Sequence, residues 1–176
     1  MKRMIGLVLA LLPSLALAQE GKMPAPPEEL SAEKWFVGSW ACEGTQHASP
    51  AGPEMKYSDS IVFKMDMSGF WLHYTGDYTK PKKMPWLSGA ATWDAGMKKH
   101  VRFDAMMGGG WAMVTSPGWE GDKIVFDGDQ SMMGKKMKFR HTITKQGDAA
   151  FTGVIELGGP DGKLMTFIDE SCKKKK

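Results

Sequence analysis

The residue with the clearest potential for chemistry in this 176-residue sequence is His141. It lies in a run in which apolar side chains recur at every second position, so it shares one face with Met137, Phe139 and Ile143. A neutral imidazole that faces an apolar interior can bind a haem iron as an axial ligand. The alternative, a core or rim histidine hydrogen-bonded to a neighbour, is the one we favour, because a register shift of one residue would place His141 outside.

The two cysteines, Cys42 and Cys172, form the second candidate pair. An even number of cysteines predicts a disulfide if the chain is exported, and two free thiols are the alternative. The sequence has no Cys-x-x-Cys spacing, and its four histidines show no metal-ligand spacing. Apart from the haem alternative at His141, we therefore expect no metal and no other cofactor.

Motifs of the common enzyme classes do not occur in the sequence. Ser116 lacks the Gly-x-Ser-x-Gly surroundings of a nucleophile elbow. The glycine run at 108–110 lacks the Lys-Ser or Lys-Thr pair of a phosphate-binding loop and precedes no predicted helix. The carboxylates are scattered, and their spacing alone brings no pair together. We therefore expect a protein that is not an enzyme.

The elements that must position these residues are β-strands. Alternation with period two recurs about eight to ten times after Val37, with turn residues such as Ser68-Gly69 between the runs. The connections are too short for parallel crossovers, so consecutive strands must pair in an antiparallel sheet. The sequence predicts only one short helix, at 28–36, and no helix that could cover the sheet.

A sheet of this size without covering helices buries its apolar face by sandwiching or by closing on itself, and consecutive hairpins favour closure. We therefore predict an all-β fold, an up-and-down antiparallel barrel of about ten strands after a short N-terminal helix. First and last strands are neighbours in a closed meander, so a Cys42–Cys172 bond would join the seam of the barrel. Compartment and topology thus indicate the same disulfide.

The interior of such a barrel is either filled by side chains or left as a ligand cavity. Small residues at predicted strand positions favour a cavity; they are Gly76, Gly89, Ala91, Ala105 and Gly153. The alternative is that the seven Trp and eight Phe fill the interior. The alternation assigns an apolar and aromatic set to the inner face: Tyr57, Ile61, Phe63, Phe70, Leu72, Tyr74, Phe103, Phe139, His141, Phe151 and Ile155.

The two ends of the chain are distinct from this body. Residues 1–18 have the basic start, apolar run and Ala-x-Ala end of a signal peptide, which predicts cleavage between Ala18 and Gln19 and a periplasmic or secreted protein. A proline-rich linker follows at 19–27. A single barrel domain is expected over 28–172, and 173–176 form a basic tail that we expect to be solvated.

The basic character of the whole chain resides in these ends. Lys and Arg number 23 against 20 Asp and Glu, and the excess comes from Lys2, Arg3 and the run of four lysines at 173–176. The body therefore has no basic face for nucleic acid. Outside the signal segment no apolar run reaches the length of a membrane span. The oligomeric state is not indicated.

Several motifs together resemble a known family. Gly38-Ser39-Trp40 after a short helix resembles the start of lipocalins and their calycin relatives. With FVGSWACEG at 36–44, MSGFWLHYTGDY at 67–78, GGWAMVTSPGWEGDK at 109–123 and DESCK at 169–173, the chain resembles a secreted bacterial domain-of-unknown-function family, number 1579. The resemblance implies a ten-stranded lipocalin-like barrel, similar also to fatty-acid-binding proteins and nitrobindin, with no established activity. It also implies that Arg102 or Arg140 stacks on Trp40.

Three functions are compatible with these observations. The first, which we favour, is an exported barrel that binds a small hydrophobic molecule. The second is a haem protein that uses His141. The third is a structural or interaction module of the cell envelope whose barrel is filled. The volume of the lumen distinguishes the first from the third, because ligand pockets rarely fall below ~300 Å³.

Overall fold

The computed structural model describes residues 24–49, 52–159 and 161–176. The described chain begins with a 3-10 helix, Glu28–Phe36, followed by eleven strands. The strands are β1 (Gly38–Gln46), β2 (Met55–Asp66), β3 (Trp71–Lys80), β4 (Met84–Asp94), β5 (Lys99–Met106), β6 (Gly110–Ser116), β7 (Trp119–Glu120), β8 (Lys123–Met132), β9 (Lys135–Lys145), β10 (Ala150–Gly158) and β11 (Leu164–Lys174). The predicted signal peptide and its cleavage site lie outside the described residues.

The strands form a closed antiparallel ring. Apart from β6 and β7, each strand pairs with its neighbours in sequence, β1 pairs with β11, and β6 pairs directly with β8. The two-residue β7 lies beside β8 and is left out of the ring, which therefore has ten strands. The predicted up-and-down barrel with a short N-terminal helix is confirmed.

Tight turns of the predicted kind connect the strands. In the hairpin between β8 and β9, Met133 and Gly134 both have positive φ, at 50° and 74°. Two successive residues in this conformation form the turn whose twist matches that of the flanking strands, and glycine accepts it without steric cost. Short turns of this kind leave no room for anything but antiparallel neighbours.

The 3-10 helix closes one end of the barrel, which we call the closed end. Three residues per turn place Leu30, Glu33 and Phe36 on one face, and all three are buried. The Trp40 indole N–H donates to the Phe36 carbonyl at 2.7 Å and fixes the helix to the start of β1. Aromatic rings fill the space beneath the helix; they belong to Trp35, Phe36, Trp40, Trp119 and Phe151.

The disulfide joins the seam of the barrel. Cys42 on β1 and Cys172 on β11 are directly paired across the two strands and are bonded to each other. The predicted Cys42–Cys172 bond is confirmed. It links the first and last strands of the ring across 130 residues of sequence.

The C-terminal lysines are more engaged than a solvated tail would be. Strand β11 continues to Lys174, whose ammonium donates to the Trp35 carbonyl at 3.2 Å and lies 5.3 Å from the Trp40 ring centre. Lys175 donates to the Ser60 hydroxyl at 2.8 Å. Lys174 is therefore the cation beside Trp40, and the expected stacking of Arg102 or Arg140 on that ring is wrong. Arg102 pairs with the buried Asp104, and Arg140 pairs with Asp127 outside the barrel.

Candidate ligand-binding cavity

A cavity of about 380 Å³ occupies the barrel between the aromatic closed end and the opposite, open end. Its mouth is lined by Met106, Met107, Met132 and Met133 at the ends of two hairpins. The volume lies within the range usual for small-molecule pockets. The barrel is thus neither filled by its Trp and Phe residues nor open at both ends.

Most of the side chains predicted to face the lumen line this cavity. The structure places there Tyr57, Ile61, Phe63, Leu72, Tyr74, Phe139, His141, Phe151 and Ile155. Their shared face follows from the period-two alternation of β2, β3, β9 and β10. That any of them contacts a ligand stays a prediction.

Two of the predicted lumen residues lie elsewhere. Phe103 is 45% exposed on the outer face of β5, because Arg102 and Asp104 occupy the inner face of that strand. Phe70 ends the 3-10 turn between β2 and β3, before the alternation of β3 begins, and it does not line the cavity. Ala105, predicted to make space inside, shares the outer face with Phe103.

Inner-facing glycines receive aromatic rings rather than leaving empty space. A Cβ on Gly89 would lie 2.3 Å from the Tyr74 ring, one on Gly44 2.6 Å from the Tyr57 ring, and one on Gly76 3.0 Å from the Trp86 indole nitrogen. These rings can lie flat against the wall only because the facing strand carries no side chain there. The glycines therefore position the walls of the cavity.

A buried ion pair lies on the side of the cavity formed by β3, β5 and β9. Arg102 Nη2 contacts Asp104 Oδ2 at 3.0 Å, and the Tyr74 hydroxyl donates to Asp104 Oδ1. The guanidinium carbon lies 4.6 Å from the centre of the Phe126 ring, and Nη1 donates to His141 Nδ1 at 3.0 Å. Arg102 is therefore compensated by one carboxylate and one imidazole.

The partners of His141 determine its protonation state. Arginine only donates hydrogen bonds, so Nδ1 of His141 must accept, and the proton of the neutral ring is on Nε2. Burial, together with the Arg102 charge, lowers the pKa of His141 well below its usual range, so the ring is neutral. Nε2 is buried and has no hydrogen-bond partner among the described residues.

This arrangement does not fit an axial haem ligand. Haem iron needs the unprotonated lone pair of one ring nitrogen, with the proton on the other nitrogen donated to an acceptor. In His141 the lone pair of Nδ1 is taken by Arg102, and Nε2 carries the proton and lies against Gly153, whose added Cβ would be 3.1 Å away. Neither nitrogen presents a lone pair to the lumen.

Glu33 brings a further carboxyl group into the cavity from the 3-10 helix. Its Oε1 approaches His100 Nδ1 to 3.3 Å without hydrogen-bond geometry. Burial raises the pKa of Glu33 to about 7, although Arg102, Lys145 and the Trp119 indole act in the opposite direction. The pKa of His100 is lowered by its own burial, so the two groups do not form a stable ion pair at neutral pH.

A pair of carboxyl groups, Asp59 and Glu170, lies at a different part of the wall; we call it the carboxyl pair. Glu170 on β11 accepts a hydrogen bond from the Tyr57 hydroxyl at 3.0 Å. Asp59 on β2 is 2% exposed, and both of its oxygens lack a hydrogen-bond partner among the described residues. Burial and the nearby Glu170 raise the pKa of Asp59 to about 7, although the Trp86 indole and Lys175 act in the opposite direction. Burial also raises the pKa of Glu170, against the hydrogen bond from Tyr57 and the charge of Arg102.

Three aromatic rings surround the carboxyl pair, and we call them the aromatic wall. Tyr57 meets Tyr78 edge to face at 5.5 Å between ring centres, and Tyr78 stacks on Trp86 at 5.3 Å. The buried indole nitrogen of Trp86 has no hydrogen-bond partner among the described residues. Tyr57, Tyr78, Trp86 and Glu170 all line the cavity.

Sequence reasoning missed the buried charged residues of the barrel, four of which line the cavity. It expected an apolar inner face and no paired carboxylates, whereas the structure brings inside Glu33, Asp59, Arg102, Asp104 and Glu170. For two of these residues the alternation of the sequence did indicate the inner face. Asp59 shares its phase with Tyr57 and Ile61, and Glu170 shares its phase with Ile168 and Cys172.

The protein shares its barrel with solved structures. None of the family models and none of the curated proteins matches the sequence, so membership of family number 1579 stays a prediction. The fold is similar to that of Rv2717c from M. tuberculosis, with a TM-score of 0.65 and 14% identity over 86% of this chain and 99% of that one. The likeness at this identity shows the fold alone.

A second similar structure is a protein of unknown function from the DUF3598 family, from Nostoc punctiforme. The TM-score is 0.52 and the identity 10%, over 86% of this chain. This chain spans about half of that protein, 51% of its length.

The part of the chain that the structure describes contains no helix with the length and hydrophobicity of a membrane span.

Proposed function

We propose that the barrel binds a small, largely apolar molecule in its lumen. The observation that carries the proposal is the cavity of about 380 Å³, enclosed by the walls of the barrel and by the aromatic closed end. Its apolar lining contributes binding free energy through burial, and its few polar groups provide specificity. A lumen of this volume favours a binding protein over a purely structural module with a filled core.

The proposed role is binding rather than catalysis. Both cysteines are in the disulfide, and Ser116 is fully buried with its hydroxyl accepting from the Gly118 N–H. The buried Arg102 is held by Asp104 and His141, so it is not poised to activate a substrate. The groups inside the barrel are suited to orient a ligand.

We also propose that the protein acts outside the cytoplasm. The disulfide at the seam is compatible with an oxidising compartment, and the N-terminal sequence has the features of a signal peptide. Expression of the full chain in a bacterial host, followed by N-terminal sequencing of the exported protein, tests this. A mature chain that begins at Gln19 is the expected result. A protein that stays in the cytoplasm and keeps residues 1–18 would contradict the proposal.

Calorimetric titration with 1-octanol, a neutral apolar probe, tests the binding function. We expect saturable binding with a negative heat-capacity change, the marker of apolar burial. Ile155→Trp fills the lumen and should weaken binding about tenfold or more. Val154→Trp, on the opposite face of the same strand, is the matched control and should bind like the wild type. Equal affinity in both variants would refute binding in the lumen.

The haem alternative is tested separately. Since Arg102 occupies the lone pair of His141 Nδ1, we expect titration with haemin to give no Soret shift that depends on His141. Spectra of the wild type and of His141→Ala should coincide. A Soret band present only in the wild type would show that the ring changes its tautomer and that the haem function is correct.

A further inference from the structure

The buried charges of the barrel do not balance. Among the described residues, the buried charged groups comprise four carboxyl groups, on Glu33, Asp59, Asp104 and Glu170, and a single guanidinium, on Arg102. Arg102 contacts only Asp104 among them, at 3.0 Å, and acts on Glu33 and Glu170 through space without contact. The two buried histidine rings do not compensate, because burial lowers the pKa of both His100 and His141. The interior therefore has unmatched capacity for positive charge.

The carboxyl groups without a paired cation are concentrated at the carboxyl pair. Asp59 is almost fully buried behind the wall, between two residues that line the cavity, Tyr57 and Ile61. Neither of its oxygens has a partner at full hydrogen-bond geometry among the described residues, although the Trp86 indole lies near enough to lower its pKa. A buried carboxyl group without a partner is costly and rare in folded proteins. Glu170, the other member of the pair, does line the cavity, so a ligand cation at Glu170 would also meet the negative charge of Asp59 behind it.

The surroundings of the carboxyl pair indicate what kind of group that is. The faces of aromatic rings attract cations, and organic ammonium groups are commonly bound by such rings. Here Tyr57, Tyr78 and Trp86 flank Asp59 and Glu170, with ring centres 5.3 to 5.5 Å apart. An ammonium group offers several N–H donors to the carboxylates and positive charge to the rings. A ligand carboxylate would meet two acidic groups and find the guanidinium already paired.

We propose that the carboxyl pair and the aromatic wall bind the protonated amine of an amphipathic ligand whose apolar part lies in the lumen. This inference rests on the proposed binding function and specifies its ligand class. The apolar part would extend past Ile61 and Leu72, and the amine would lie against Glu170 and the aromatic wall, with Asp59 directly behind them. Primary amines with a short alkyl or aryl-alkyl chain fit both the chemistry and the volume of about 380 Å³.

The titration of the site provides a distinctive signature. Asp59 faces Glu170 on β11, Tyr57 on β2, Tyr78 on β3, the Trp86 indole on β4 and Lys175 near the C-terminus. With its pKa near 7, Asp59 is largely protonated at pH 6, and an ammonium ligand must displace that proton. Amine binding should therefore release about one proton near pH 6 and tighten as the pH rises to 8.5, since alkylamines stay protonated up to about pH 10.

Three probes of equal chain length test the proposal: octylamine, 1-octanol and octanoate. At pH 8 we expect octylamine to bind about tenfold or more tightly than 1-octanol, and octanoate to bind weakest. Calorimetry at pH 6 in buffers of different ionisation enthalpy should detect proton release with octylamine and none with 1-octanol. The full mature chain with its disulfide intact is used throughout.

Matched variants locate the effect. Asp59→Asn should remove the advantage of octylamine, a loss of about tenfold, while 1-octanol binds as before. Asp77→Asn removes an equal charge from the exposed face of β3 and should change neither affinity. Glu170→Gln provides a second variant if Asp59→Asn does not fold, and should also reduce the preference for the amine.

The outcomes separate this inference from the binding function. If octanol and octylamine bind equally, or octanoate binds best, the lumen binds apolar molecules and the amine site is refuted. An octylamine preference that survives in both Asp59→Asn and Glu170→Gln would refute it too. If none of the three probes binds, the proposed function fails and this inference fails with it.

Discussion

At the scale of single residues, Asp59 combines a cost in stability with a use in binding. Burial keeps its carboxyl protonated to about pH 7, whereas in the unfolded chain the group ionises near 3.8. Between these values the unfolded state binds fewer protons than the folded state, so the contribution of Asp59 to stability falls as the pH rises to 7 and is constant above it. Functional groups are often retained at such a cost.

The first prediction follows from the loss of stability that Asp59 causes as the pH rises. Asp59→Asn should increase the free energy of unfolding by up to about 4 kcal/mol at pH 8, because the pKa of Asp59 is raised from 3.8 to about 7, each pKa unit corresponds to about 1.4 kcal/mol and the amide is neutral at every pH. It should change stability little at pH 4. Urea denaturation at both pH values measures the effect, with Asp77→Asn as the exposed control. A less stable variant at pH 8 would contradict the assignment of Asp59 as a strained carboxyl.

A second prediction contrasts two aspartates that each pair with an arginine. Asp104→Asn leaves the buried Arg102 charge without its carboxylate and should cost about 3–5 kcal/mol of stability. Asp127→Asn breaks the exposed pair with Arg140, of comparable geometry at 2.7 Å, and should cost about 1 kcal/mol or less. Urea denaturation of the two variants at pH 7 gives the comparison. Equal losses would mean that Arg102 is well solvated in the cavity.

At the scale of elements, alternation and turn residues predicted the strands and their pairing but not every inner face. On β5 the set Val101, Phe103 and Ala105 and the set containing Arg102 and Asp104 alternate equally well. Choosing the apolar set assumed an apolar lumen. Arg102 lies inside because Asp104 on the same strand, His141 on β9 and the Phe126 ring on β8 compensate its charge, and the last two partners are brought to it only by the closed sheet.

The meeting of Asp59 and Glu170 shows a related limit. Each is on the predicted inner phase of its strand, but they lie on β2 and β11, at opposite ends of the sequence. They become neighbours through β1, whose Cys42 pairs with Asp59 on one side and with Cys172 on the other. Period-two patterning predicts which face a residue occupies, whereas cross-strand register depends on tertiary pairing.

The third prediction concerns the seam between β1 and β11. The disulfide closes a loop of 130 residues, so its removal should cost up to about 4–5 kcal/mol in the chain-entropy model. Cys42→Ala/Cys172→Ala should still form the barrel, because seven residue pairs hold the two strands in register without it. Circular dichroism should retain the strand signal while the urea midpoint falls. Loss of the folded state altogether would show that the bond is required for closure.

At the scale of the whole molecule, the barrel is closed at one end and open at the other. The 3-10 helix and the aromatic rings of the closed end block passage there, and Trp40 is completely buried. At the open end, Met107 and Met133 are 53% and 84% exposed and line the mouth of the cavity. Methionine is flexible and apolar, which suits a surface that a ligand must cross. The asymmetry implies that ligands enter and leave between these hairpins.

The last prediction tests this route. Met107→Trp and Met133→Trp narrow the mouth without altering the carboxyl pair or the inner walls, so they should slow association and dissociation of octylamine by a similar factor and leave its affinity nearly unchanged. Met97→Trp replaces an equally exposed methionine, 51% accessible in the turn between β4 and β5 at the closed end, and should leave both rates unaltered. Stopped-flow or line-shape measurements give the rates. Slowing by Met97→Trp but not by the mouth variants would place the passage at the opposite end, and the function of the helix as a plug would have to be abandoned.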